Sequence, residues 1–111
     1  IMKLSVVDRI IIILGLLPPN GSIEDMLKNK SIKEKIKLTK EEEGMGIVLD
    51  SDNNNNIMLK YISDKAKTHY VDIEFSNEER EYLKNCANRI NKTRGVTETN
   101  LDTILMLTQD N

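Results

Sequence analysis

Asp50-Ser51-Asp52-Asn53-Asn54 puts oxygen-bearing side chains at the alternating positions by which a loop wraps a hard cation. The series then fails, because Asn55 stands where the sharp turn calls for glycine and Tyr61 where a bidentate glutamate closes the shell. A plain hairpin loop is therefore expected. His69 is the single histidine, which excludes a multi-histidine metal site within one subunit and leaves a general base in need of a positioned nucleophile. The single cysteine, Cys86, falls among Tyr82, Leu83, Ala87 and Ile90 on one helix face, and is read as a small core side chain in a reducing compartment. Glu41-Glu42-Glu43 and Glu78-Glu79 with Glu81 would suit acid-base work if two carboxyls shared a cleft with separated pKa values. Both clusters occupy first helical turns, where acids complement the helix dipole, and that reading is sufficient. No glycine-rich phosphate loop, Gly-x-Ser-x-Gly elbow or Cys-x-x-Cys pair occurs. The sequence argues against an enzyme: no catalytic, cofactor-binding or metal-ligating residue is expected.

Two basic patches invite a nucleic-acid reading: Lys28, Lys30, Lys33, Lys35, Lys37 and Lys40, and the turn with Arg89, Lys92 and Arg94. Lysines two or three apart spread around a helix, and Glu34 and the triple glutamate dilute them. One Phe, three Tyr and no Trp make a poor stacking platform for single strands, and a net charge of -2 gives no whole-protein field toward an anionic partner. A solvated face is preferred, with a nucleic-acid-associated regulator using Lys28 to Lys40 as the alternative to a protein-contact role.

The elements that would position these residues fit one domain spanning 1–111, since 111 residues with 39% apolar content support a single core. Ser5 and Asp8 form a cap at the start of a first helix from about Val6 to Leu17, ended by Pro18-Pro19. Lys3 ahead of this apolar stretch imitates an export signal. Asp8 and Arg9 interrupt it, however, and the uncharged run is shorter than the roughly 20 residues that a spanning helix needs, so a cytoplasmic protein without membrane contact is expected. So apolar a helix needs cover on several sides, and any part of Ile10, Ile11, Ile12 and Ile13 left uncovered is the candidate partner-binding surface, for a protein partner or a second copy.

Ser22 with Glu24 and Asp25 starts a second helix whose Ile23, Met26 and Leu27 share a face; Ser31 with Glu34, and more weakly Thr39 with Glu42, form further capping signatures before Gly44 and Gly46. The period then changes. Ile47-Val48-Leu49 and Ile57 to Ile62 read as a hairpin, and Tyr70 to Phe75 alternates, with Val71, Ile73 and Phe75 inward. Ser76 and Glu79 cap a strongly amphipathic helix, a turn with a C-cap glycine at Gly95 follows, and a last helix opens at Thr97 with Leu101, Ile104 and Leu105 inward. The expected fold is α+β: a small antiparallel sheet of about three strands packed on one side by about four helices.

Lys3 to Arg9 with Leu14 to Pro18, Val71-Asp72-Ile73-Glu74 leading into Asn77-Glu78-Glu79, and the closing Val96-Thr97-Glu98 resemble a small, functionally uncharacterised family encoded by phages and prophages of gut bacteria. The resemblance follows the order of elements along nearly the whole chain. It implies a bacterial cytoplasm, a mobile genetic element, and an accessory, assembly or regulatory role exercised through contacts, and it brings no catalytic residue.

Overall fold

In the computed structural model, which describes residues 1–51 and 57–109, Ser5 ends one element and starts the next. Met2–Ser5 forms a strand, β1, for which the sequence carried no signal, because the segment is short and runs directly into a helix cap. The Ser5 hydroxyl accepts from the Asp8 amide at 3.0 Å while Asp8 accepts from the Ser5 amide at 2.9 Å, the reciprocal cap that launches α1, Val6–Ile11. The expected continuous helix to Leu17 is divided. After Ile11 the chain widens into a π-helical turn, Ile12–Leu16, closed by the Leu17 amide donating to the Ile12 carbonyl at 3.1 Å. The wider turn shifts the phase of the side chains that follow: Leu16 and Leu17 enter the core while Leu14 and Gly15 face outward.

Helix α2, Ile23–Ile36, is capped by Ser22 and Asp25 and continues through Ser31 without restarting. Its buried face is Asn29, Ile32 and Ile36, whereas Ile23 and Leu27, on the apolar face of its first turns, are exposed, because the helix meets the core with its C-terminal half. The Thr39 signature caps a single turn, α3, Lys40–Glu43. Gly46, at φ +74°, turns the chain into β2, Ile47–Ser51, where a β-carbon would stand 3.0 Å from that of Ser63.

β2 pairs antiparallel with β3, Ile57–Ile62, with an irregularity between Val48 and Leu49 and Leu49 opposite Leu59. Most of the calcium-like series, Asp52 to Asn54, lies outside the described residues. Ser63 caps an unanticipated helix, α4, Asp64–Thr68, which packs on α1. β4, Tyr70–Ile73, then pairs with β1 in the register Met2↔Ile73 to Ser5↔Tyr70. The α+β class therefore holds, but in place of one sheet of about three strands the strands among the described residues divide into two two-stranded ladders, because β4 pairs with β1 and not with the hairpin. Expected alternation is present, with Ile73 and Phe75 buried and Asp72 and Glu74 exposed.

Helix α5, Asn77–Lys92, carries the Ser76 and Glu79 cap and buries Leu83, Cys86 and Ala87. At its end the Gly95 amide donates to the Ile90 carbonyl at 2.8 Å and the Arg94 amide to Asn91 at 3.1 Å. This is a Schellman closure whose left-handed position falls on Arg94, φ 62°, one residue before the expected glycine. Thr97 and Asn100 close a turn ahead of α6, Leu101–Thr108. α6 buries Thr103, Ile104 and Leu107 and leaves Leu101 and Leu105 exposed, because the Thr103 hydroxyl donates to Asp8 Oδ1 at 2.6 Å and turns that stripe inward. Leu4, Ile12, Leu16, Ile32, Ile36, Leu83 and Leu107 form the sealed centre of the core.

Candidate functional site

Arg9 sits in a helix whose surroundings are apolar, and a buried guanidinium requires an anion. Glu42 supplies it from α3: Arg9 Nη1 donates to Glu42 Oε1 at 3.0 Å and Nη2 donates to Oε2, with Arg9 3% and Glu42 5% exposed. Glu42 Oε1 also accepts from the Thr39 amide, and His69 Nε2 stands 3.3 Å from Oε2. Hydrogen bonding from Arg9, with Thr39 and the guanidinium charge in support, outweighs burial and holds the Glu42 carboxyl down at about 2. Glu79 plays the same part between α5 and α2. Burial pushes its carboxyl up, but Lys35, the Ser76 amide and the Ser31 hydroxyl together bring it to about 2. These carboxylates are permanent anions that lock elements together, and neither has the raised pKa of a general acid.

A cleft of about 590 Å3 opens beside Ser5, Asp8, Lys60, Lys67, Asp102 and Thr103. Its innermost carboxylate, Asp8, is already engaged by the Ser5 amide on one oxygen and the Thr103 hydroxyl on the other. Among the described residues no buried side-chain polar atom lacks a hydrogen-bond partner, and no group of three or more His, Cys, Asp and Glu is placed to hold a metal. Cys86 is 4% exposed, and burial, as the largest effect, pushes its thiol up. Tyr82, pushed up to about 12 chiefly by burial, donates its hydroxyl to Asn29 Oδ1 at 2.6 Å, and Asn29 in turn donates to the Pro18 carbonyl at 2.8 Å.

The six lysines do not form one free face. Lys28 lies over the Tyr82 ring at 5.7 Å, Lys35 pairs with Glu79, and Lys37 pairs with Glu34 at 2.8 Å. Lys30, Lys33 and Lys40 are exposed. In the second basic patch Arg89 donates to the Leu16 carbonyl at 3.0 Å and so fastens the π-helical turn to α5.

The isoleucine run is apportioned by depth. Ile10, Ile11 and Ile12 are buried, Ile13 is half-buried, and Leu14 is 39% exposed. Two grooves flank Leu14. The larger, about 510 Å3, is lined by Ile10, Ile13, Leu38, Ile47 and Leu49 with Lys37 and Glu43; the smaller, about 330 Å3, by Ile11, Gly15, Leu59 and the Thr97–Asn100 turn. Leu49 and Leu59 face each other across the hairpin, so one apolar strip passes both sides of Leu14. Its outward members include Leu14 at 39% and Leu49 at 48% exposure. Among the described residues β2 has a ladder partner only in β3, which leaves an open edge beside the strip. The surface adjoining Ile13 is thus larger than the isoleucine run itself, and sequence periodicity missed Leu14 because the π-helical turn changes the phase.

Comparison of the chain with known protein families, with curated proteins and with solved structures found no match. Among the described residues no helix is long and apolar enough to cross a membrane.

Proposed function

We propose that this chain is a non-catalytic protein-interaction module that self-associates through the apolar strip around Leu14 and the β2–β3 hairpin. The observation that carries this reading is the π-helical turn, which places Leu14 between two grooves when a regular helix would have continued the apolar face inward. Such turns cost regular hydrogen bonding and concentrate at functional sites. An apolar strip beside an unpaired strand edge favours contact with another chain. The resemblance to phage and prophage proteins supports an accessory or assembly role on a mobile genetic element. A nucleic-acid reading has less support, because Lys28 and Lys35 are engaged by Tyr82 and Glu79 within the chain.

Leu14→Asp tests the proposal, since an exposed position can be charged without emptying the core. The variant should unfold within about 1 kcal/mol of wild type and should lose concentration-dependent association, read by light scattering after size exclusion. Unchanged association in a folded variant would overturn the assignment. Salt-dependent retention on DNA or RNA by a monomeric wild type would favour the alternative.

A further inference from the structure

The larger groove carries its own clue to what covers it. Its floor and walls are Ile10, Ile13, Leu14, Leu38, Ile47 and Leu49, and two charged residues complete the lining: Lys37, just after α2, and Glu43, the last residue of α3. Both are exposed. Among the described residues Lys37 has the solvent-exposed Glu34 as its ion-pair partner, and exposed pairs three residues apart are weak. One cation and one anion on the same apolar groove make the surface complementary to itself. In a two-fold contact residue i meets j while j meets i, so one rotation can satisfy both charges twice over. An unrelated apolar segment would have to supply an opposite charge at both places.

Building on the self-association reading above, we infer that the occupant of this groove is the same groove of a second copy, joined about a two-fold axis, with Lys37 of each chain paired to Glu43 of the other. The apolar residues supply the association free energy and the paired charges fix its register, because like charges brought together across an interface are strongly disfavoured. The pairing also sets polarity: a head-to-tail contact through this groove would leave Lys37 unmatched at one end of the assembly and Glu43 unmatched at the other. The assembly therefore closes at two chains.

Charge reversal tests it. Lys37→Glu puts glutamate against Glu43, and Glu43→Lys puts lysine against Lys37, so each variant alone should self-associate at least about tenfold more weakly than wild type. Mixed one to one, the two variants regain both contacts, and should form a heterodimer near wild-type affinity that neither forms alone. Sedimentation velocity with one variant fluorescently labelled reads this directly, and circular dichroism confirms that both remain folded. A dimeric wild type whose single variants associate as well as it does, or whose mixture shows no recovery, overturns the groove and its register while leaving self-association standing. A wild type that is monomeric throughout overturns both.

Discussion

Glu42→Gln leaves the Arg9 guanidinium buried without an anion while keeping an acceptor for the Thr39 amide and nearly the same volume. Two routes give the cost. Removing one partner of a buried ion pair costs about 3 to 5 kcal/mol. Independently, the Glu42 carboxyl lies at about 2 in the folded chain against an ordinary 4.5; at about 1.4 kcal/mol per pH unit of displacement this is roughly 3 kcal/mol. For a domain of this size that lowers the melting temperature by about 12 °C or more. The pH dependence fixes the cause. A depressed carboxylate contributes fully above its unfolded pKa near 4.5 and loses that contribution as pH falls through about 2, while glutamine does not titrate. Urea unfolding followed by circular dichroism should therefore show the full difference at pH 7 and a shrinking one toward pH 2. Arg9→Met combined with Glu42→Gln should recover much of the loss, because the stranded charge is gone. A cost below about 1 kcal/mol at pH 7, or one that persists undiminished at pH 2, would mean that the buried ion pair does not carry this stability.

Glu79 has the same sign, so wild-type stability should be flat from neutral pH down to about 5 and fall steeply between 4.5 and 2; the Glu42→Gln, Glu79→Gln pair should flatten that fall in the same urea titration. Glu79→Gln alone should cost about 1.5 to 3 kcal/mol, the range for a hydrogen-bonded charge, and less than Glu42→Gln because the Lys35 partner reaches solvent. Arg94→Gly should raise stability by up to about 1 kcal/mol, read as a higher urea midpoint, because Arg94 holds the left-handed position that glycine occupies freely.

Much of the local structure was legible in the residues because capping acts over three positions. Ser5 with Asp8, Thr39 with Glu42, and Ser76 with Glu79 each make the reciprocal bonds their spacing implied. The hairpin and the alternation of Ile73 and Phe75 were readable for the same reason, since period and turn chemistry are local. What escaped depends on distance. The Arg9 to Glu42 bond spans 33 positions and the Lys35 to Glu79 bond spans 44, and no pattern within a helix announces a partner so far away. A charge in the middle of an apolar helix was nonetheless a signal that an anion had to exist. Thr103 was passed over because apolar periodicity ignores a hydroxyl that a distant carboxylate satisfies. Periodicity could not place Leu14: a continuous helix would carry it on the same face as Ile10 and Leu17, and the π-helical turn after Ile11 leaves it exposed.

Sedimentation equilibrium of the wild-type chain from about 1 μM to about 1 mM, the span from moderate to weak self-affinity, decides whether the chain self-associates. Self-association through the Leu14 strip predicts a mass that rises from 12.7 kDa to twice that value and stops there, and a folded Leu14→Asp variant that stays at 12.7 kDa over the whole range. A wild type that remains at 12.7 kDa throughout would contradict it.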